Sequence, residues 1–231
     1  MKTTIEFDET NFETDVTKHR PCGNSLAAAG IALWGAFIVA LGAAGVFDTA
    51  GSLPLPILGG VAAPILLFLA LFRLVNGFRE FVLSADPLLV SGLQAWRFAG
   101  FGFLALYAHG LLPALFAWPA GLGDMAIGIT APWIVRMLAR RPAFAATKGF
   151  VLWQVLGLLD FVVALGTGVL GSGAVGIVAA TTTAPMGRLP LVLIPCFLVP
   201  FFTMLHLTAI FQARRRDRAA AFGPEAIRSD V

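Results

Sequence analysis

The sequence predicts an all-α, polytopic membrane bundle of six transmembrane helices with both termini in the cytoplasm. Three observations support this prediction: an apolar composition, long runs without charge, and basic residues gathered at alternate ends of those runs. Of the 231 residues, 58% are hydrophobic and only 13% are charged, whereas about 25% of residues are charged in an average soluble domain. This composition excludes an ordinary soluble protein.

Uncharged runs supply the predicted spans. Four stretches lack charged residues, and each can hold the roughly 20 apolar residues that a bilayer core of about 30 Å requires: 21–47, 49–72, 98–123 and 189–213. Two further spans follow from dividing the stretch between Arg97 and Arg136 at the turn LLPALFAWPAG, and from the run after Lys148. We therefore predict helices over about 25–47, 56–77, 94–112, 120–140, 149–169 and 190–213.

The basic residues predict the orientation of these helices. With the N-terminus in the cytoplasm, every Lys and Arg except Arg188 falls on an inner segment, as the positive-inside rule requires. This count assigns Arg97 to the inner end of the third helix. Attraction of the inner basic residues to anionic lipid headgroups accounts for the net positive charge. No nucleic-acid partner is expected.

Three regions follow along the chain: a polar cytoplasmic segment at 1–24, the transmembrane domain at 25–213, and a basic cytoplasmic tail at 214–231. The first segment is acidic rather than basic, unlike a signal peptide, so we expect the first helix to remain in the mature protein. Cys22 and Cys196 lie at different depths, so no disulfide is expected, and their spacing indicates no metal site.

Four acidic or histidine residues fall inside the predicted spans, where ionisable groups are costly and often functional. Counted from the predicted boundaries, His109 and Asp124 lie about 5–6 Å below the outer surface, whereas Asp160 and His206 lie near the midplane. Small residues share the helical face of each, and such faces pack against other helices in membranes. A pair of Asp160 with His206 would lower the cost of burying the carboxylate, and the sequence leaves open whether the two side chains touch.

These residues suggest a ladder of protonatable groups that relays protons or binds a polar or cationic solute. The alternative is purely structural, because interhelical hydrogen bonds of about 0.6 kcal/mol each would also place them there. The structural interpretation is favoured for Asp124. Pro119 suits the first turn of a helix, and an early acidic residue complements the helix dipole. His109 is its expected partner.

Three segments carry a resemblance to known sequences: LPALFAWPAGLGD at 112–124, LGLLDFVVALG at 156–166, and the proline-spaced sixth helix up to His206. They resemble stretches of small bacterial integral membrane proteins without a described activity. The resemblance covers the predicted third to sixth helices and implies a place in the bacterial inner membrane. It implies no activity.

Three functional classes fit the sequence. The first is a small transporter or proton-linked permease that uses the buried acids and histidines. The second is a non-catalytic membrane subunit or interaction protein, with a membrane protein partner or a homo-oligomer implied by the small-residue faces. An enzyme comes third, because no nucleophile with its base can be assembled from local sequence. There is no HExxH, Walker A or dinucleotide-binding motif, so neither a metal nor another cofactor is expected.

Overall fold

The computed structural model describes the backbone of residues 21–49, 52–174 and 180–221, and the side chains of 25–49, 52–174 and 180–216. Most of the predicted polar segment 1–24, and the basic tail beyond 221, lie outside the described residues. Every regular element in the described ranges is a helix. This agrees with the predicted all-α class.

The chain forms eight α-helices in the described ranges, with 3₁₀ and π segments between them. The α-helices are α1 Pro21–Ala43, α2 Leu55–Leu74, α3 Asn76–Leu83, α4 Pro87–Gly92, α5 Phe101–Ala108, α6 Ala114–Arg140, α7 Lys148–Leu170 and α8 Val199–Ala221. The 3₁₀ segments are Leu93–Gly100, Pro142–Ala146 and Ala184–Gly187, and the π segment is Ile194–Leu198.

Six helical stretches in the described residues are long and apolar enough to cross a membrane. They are Ser25–Ala43, Leu55–Leu74, Pro87–Ala108, Ala114–Arg140, Lys148–Leu170 and Ile194–Arg216. Their number matches the prediction, and their length and composition indicate a multi-pass membrane protein. Two of the spans, the third and the fourth, begin several residues earlier than predicted, and both differences affect the site described below.

One side of the bundle, called here the distal side, is formed by the connections after α1, α5 and α7. The Thr183 amide donates a hydrogen bond of 2.9 Å to the Gly171 carbonyl, and the Pro113 ring lies beside Gly171. Arg188 pairs with Asp48 at 2.8 Å. These contacts tie the three connections together at one end of the spans.

The opposite side, called the proximal side, carries α3 and the end of α8. Gln212 donates a hydrogen bond of 2.8 Å to the Ala85 carbonyl, and Arg215 pairs with Glu80 at 3.0 Å. Because α1 ends on the distal side, its beginning lies on the proximal side. Both ends of the described chain are therefore proximal.

The third span was predicted at 94–112 and runs instead over 87–108, as α4, a 3₁₀ segment and α5. Burial within it recurs at every third residue, at Ser91, Gln94, Arg97 and Gly100. A 3₁₀-helix has three residues per turn, so residues three apart lie in one line. The segment therefore presents one line of mainly polar side chains to the interior.

Small residues allow this 3₁₀ segment to approach α6 closely. A Cβ atom at Gly128 would overlap the backbone of Phe98, and one at Gly100 would overlap the Cβ of Asp124. The segment packs more extensively against α6 than against any other element of the described chain. This contact aligns Arg97 with the acidic residue on α6.

The fourth span begins at Ala114 rather than at 120, so the predicted turn at Pro119 is helical. A proline inside a membrane helix is tolerated because neighbouring groups satisfy the carbonyl that it leaves. Asp124 consequently lies more than two turns inside α6. The prediction that it occupies a helix terminus was wrong.

Candidate functional site

The buried guanidinium of Arg97 joins three helical spans near the centre of the bundle. Its Nε donates a hydrogen bond of 2.7 Å to Oδ1 of Asp124 on α6, and its Nη2 donates to Oδ2 of Asp160 on α7. The Arg97 side chain is 1% exposed, whereas the two carboxylate side chains are 16% and 10% exposed. Hydrogen bonds between ionised groups are stronger than neutral ones.

The remaining guanidinium nitrogen reaches α8. Nη1 of Arg97 lies 2.9 Å from Nε2 of His206 and 3.3 Å from the Gly157 carbonyl oxygen. The Phe161 ring stacks on the guanidinium, with 3.9 Å between the ring centroid and Cζ, a distance suited to a cation–π interaction. All three nitrogens of the guanidinium therefore have partners in the bundle interior.

These contacts determine which nitrogen of His206 carries the proton. A guanidinium can only donate hydrogen bonds, so Nε2 of His206 accepts the bond from Arg97. The other ring nitrogen, Nδ1, lies within hydrogen-bond distance of Oε1 of Gln154, and it must be the donor because an amide oxygen only accepts. The imidazole is therefore neutral and protonated at Nδ1.

The charges of this cluster do not balance. One guanidinium contributes +1, the two carboxylates Asp124 and Asp160 contribute −2 when ionised, and the imidazole contributes none, which leaves a net charge of −1. A net charge inside a membrane protein is costly. One proton or one monovalent cation is sufficient to neutralise the cluster, which we call the charged centre: Arg97, Asp124, Asp160 and His206.

Glycines on the neighbouring helix surfaces make room for the charged centre. A Cβ atom at Gly123 of α6 would overlap the carboxylate of Asp160, and one at Gly157 of α7 would overlap the imidazole of His206. Since any other residue would fill this space, the two glycines determine how closely α6, α7 and α8 meet. Gly157 belongs to the small-residue face predicted for Asp160, whereas Gly123 was not among the predicted faces.

A cavity extends from the distal side to Asp124. It is open at the distal side, and most of its lining is apolar, with Phe103, Phe116 and Phe161 among the lining residues. Asp124 is the only charged residue among the described residues that line it. The charged centre is thus connected to the distal side through a mostly apolar chamber.

Three buried polar atoms near the charged centre have no hydrogen-bond partner among the described residues. They are Oγ of Ser91, Oε1 of Gln94 and Nε2 of Gln154. Gln94 also donates a bond of 3.3 Å to the Phe202 carbonyl on α8. Ser91 and Gln94 lie on the line of side chains that leads from the proximal side to Arg97, and such unpaired atoms are suitable partners for buried water.

The structure unites three of the four predicted site residues. Asp124, Asp160 and His206 meet around Arg97, so the predicted separation of Asp124 into an outer layer was wrong. The possible pair of Asp160 with His206 is replaced by a bond from each of them to Arg97. His109 follows the last residue of α5 and is exposed, and the expected pair with Asp124 is not formed.

Arg97 is the functional candidate that the sequence analysis missed. It was counted among the cytoplasmic basic residues because an arginine commonly ends a membrane span. The sequence does contain features that point to a buried Arg97. Residues 87–96 before it are also uncharged, and Ser91, Gln94 and Arg97 are spaced three residues apart. Together these features indicate a span that contains the arginine.

Comparison with known protein families adds one finding. The model of a family described as a domain of unknown function, DUF8737, matches residues 54–214, a range that includes every residue of the charged centre. No curated protein and no solved structure matches the chain. The description assigns no activity to the family, as the resemblance in the sequence also implied. The chain is thus a member of the DUF8737 family.

Proposed function

We propose that the protein is a small proton-linked transporter in which the charged centre binds the coupling proton. The observation that carries this proposal is the net charge of −1 that the centre holds between spans when both carboxylates are ionised. Buried acidic residues of this kind characterise proton relays and ion pathways in membrane proteins. One proton, shared by Asp124 and Asp160, would neutralise the site.

Two routes to the centre support a transport function. The distal cavity reaches Asp124, and on the other side the unpaired polar atoms of Ser91 and Gln94 follow the line of side chains towards α4. Water bound to those atoms would carry protons between the proximal surface and the centre. A transporter requires a site that can exchange with both sides of the membrane.

The charge distribution favours a proximal side that faces the cytoplasm of a bacterial cell, with the protein in the inner membrane. The basic residues described on that side are Arg73, Arg79, Arg136, Arg140, Arg141, Lys148, Arg214, Arg215 and Arg216. On the distal side, Arg188 is paired with Asp48. The positive-inside rule then gives cytoplasmic termini even when the buried Arg97 is removed from the count.

Infrared spectroscopy of the purified protein tests the proposed proton site without knowledge of the solute. We expect the carbonyl band of a protonated carboxylic acid to appear on acidification of the wild type and to change in Asp160→Asn. Asp48→Asn, at an exposed ion pair, is the matched control and should leave the band unchanged. A wild-type protein with no band sensitive to Asp160→Asn or Asp124→Asn would contradict the proposal.

The substrate can then be sought by measuring the thermal stability of the protein with a panel of solutes at two pH values. A ligand present at a hundred times its dissociation constant should raise the free energy of unfolding by about 2.7 kcal/mol. Stabilisation that depends on pH and disappears in Asp160→Asn would support proton-linked binding. Stabilisation that is equal in the variant would place the solute elsewhere.

A non-catalytic subunit is the second candidate, favoured by the packing of α1. This helix contacts the bundle mainly at the π segment Ile194–Leu198, for example through Trp34 against Phe197, with ring centroids 4.7 Å apart. Most of its remaining surface is uncovered within the chain. Purification in mild detergent distinguishes the candidates, because a subunit should retain a stoichiometric membrane partner or a second copy, whereas the transporter alone should be functional after reconstitution.

A further inference from the structure

We infer that the distal cavity binds a lipophilic organic monocation, with the positive group of the ligand against Asp124. The inference rests on the proposed function in one respect, namely that the cation and the coupling proton compete for the same negative charge. Binding itself depends only on the cavity and its carboxylate.

The cavity has the surface of a site for an apolar organic molecule, because small-molecule sites are lined mainly by hydrophobic and aromatic side chains. Aromatic rings of Phe103, Phe116 and Phe161 line it together with Met186 and Val199. Such a surface favours a hydrophobic ligand, and aromatic faces also attract organic cations.

The inner end of the cavity, at Asp124, selects for positive charge. Oδ1 of Asp124 accepts the bond from Arg97, whereas Oδ2 accepts no hydrogen bond from the described residues. All three guanidinium nitrogens of Arg97 already have hydrogen-bond partners. No described cation at this end of the cavity is therefore free to bind an anion. An anionic ligand would increase the net negative charge of the centre, and a monocation would cancel it.

Of the four hydroxyl groups among the described lining residues, those of Ser52, Ser172 and Thr183 already donate to backbone carbonyls. Ser172 donates its hydroxyl proton to the Val169 carbonyl at 2.7 Å, Thr183 to the Gly168 carbonyl at 2.7 Å, and Ser52 to the Thr49 carbonyl at 3.1 Å. These groups are satisfied by backbone within the chain. A sugar or an amino acid would therefore lose more hydrogen bonds to water than the cavity returns.

Competition with the proton follows from the groups that face Asp124. Arg97 approaches it from the third span, and Asp160 and His206 contact the same guanidinium from α7 and α8. When a proton occupies one carboxyl group, the centre is neutral and no longer attracts a cation. Acidification should therefore weaken cation binding, and cation binding should release a proton.

The test uses two organic ions of the same shape and opposite charge. Tetraphenylphosphonium and tetraphenylborate differ in the sign of their charge but expose the same phenyl surface. We expect equilibrium dialysis of the detergent-purified protein to show saturable binding of the phosphonium and none of the borate. Equal binding of the two ions would overturn the inference, because it would mean that the cavity accepts apolar molecules, such as a lipid chain, whatever their charge.

Two variants locate the site. Asp124→Asn should weaken phosphonium binding at least tenfold, whereas the exposed control Asp48→Asn should leave it unchanged. Ala164→Phe adds a ring to a residue that lines the cavity without altering any charge, and it should also weaken binding, so the inference does not depend on Asp124→Asn folding well. Undiminished binding in a folded Ala164→Phe protein would overturn the inference.

The outcomes separate the inference from the proposed function. If the infrared band of the wild type responds to pH and to Asp160→Asn but the phosphonium does not bind, the cation site is refuted and the proton site stands. If the phosphonium binds and depends on Asp124 but no carboxyl band responds to pH, the cation site is supported and the proton-linked function is refuted.

Discussion

Replacement of Arg97 by Gln should be among the most destabilising changes in the bundle. If the residue contributed only its four hydrogen bonds, at about 0.6 kcal/mol each in a membrane protein, the loss would be about 2–2.5 kcal/mol. Removal of one partner of a buried ion pair costs more, about 3–5 kcal/mol, because the remaining charge is left uncompensated. Two carboxylates depend on Arg97, so we expect a loss at the upper end of this range.

A combination of variants measures which of these effects dominates. The free energy of unfolding would be determined by titration with a denaturing detergent for the wild type, Arg97→Gln, and the triple variant with Asp124→Asn and Asp160→Asn. If the unpaired charges cause the loss, the triple variant recovers most of the stability. Arg188→Gln is the matched control, since its side chain is 63% exposed and such pairs contribute only about 0–1 kcal/mol.

The reasoning would be refuted by either of two results. A triple variant as unstable as Arg97→Gln would mean that lost hydrogen bonds and packing, rather than unpaired charge, explain the effect. A single variant within about 1 kcal/mol of the wild type would mean that the guanidinium does not hold the two carboxylates together as the geometry indicates.

Three further predictions concern packing, hydrogen bonding and orientation. In the same unfolding titration, Gly157→Ala should destabilise the protein by about 1–3 kcal/mol, because the new Cβ overlaps the imidazole of His206. Gly166→Ala on the same helix is the control. A Cβ there meets no atom within 4 Å, so this variant should be neutral or slightly stabilising. Gln154→Leu should cost about 1–3 kcal/mol, because the imidazole N–H loses its buried acceptor; an unchanged midpoint would argue against that bond. In a cysteine-free background, an impermeant maleimide should label Ser52→Cys on intact cells and Ser84→Cys only after permeabilisation, and the reverse pattern would invert the proposed topology.

The sequence predicted the fold well where a charge bounds a span. Helix α7 was placed within about one residue at each end, because its predicted start came from the uncharged run after Lys148. The third span was misplaced because Arg97 was treated as a boundary rather than as part of the interior. A charge at one position can end a span or lie within it, and only the partners across the bundle decide between these possibilities.

The site was harder to predict than the fold because its residues come from four spans. Asp160 and His206 were found by depth alone, since both are polar residues within long apolar runs. Asp124 was misplaced because LLPALFAWPAG was interpreted as a turn, although Pro119 is accommodated inside α6. Depth was measured from a predicted boundary, so that error moved Asp124 away from its true neighbours.

In the 3₁₀ segment Leu93–Gly100, a change in the number of residues per turn would also change the length of the third span. A 3₁₀-helix rises about 2.0 Å per residue and an α-helix about 1.5 Å, so rewinding these eight residues would shorten the span by about 4 Å. The same change, from three to 3.6 residues per turn, would rotate one end against the other by about 160°. Arg97 lies in the middle of this segment. Any rewinding that lengthens or shortens the span therefore also rotates its guanidinium relative to Asp124 and Asp160.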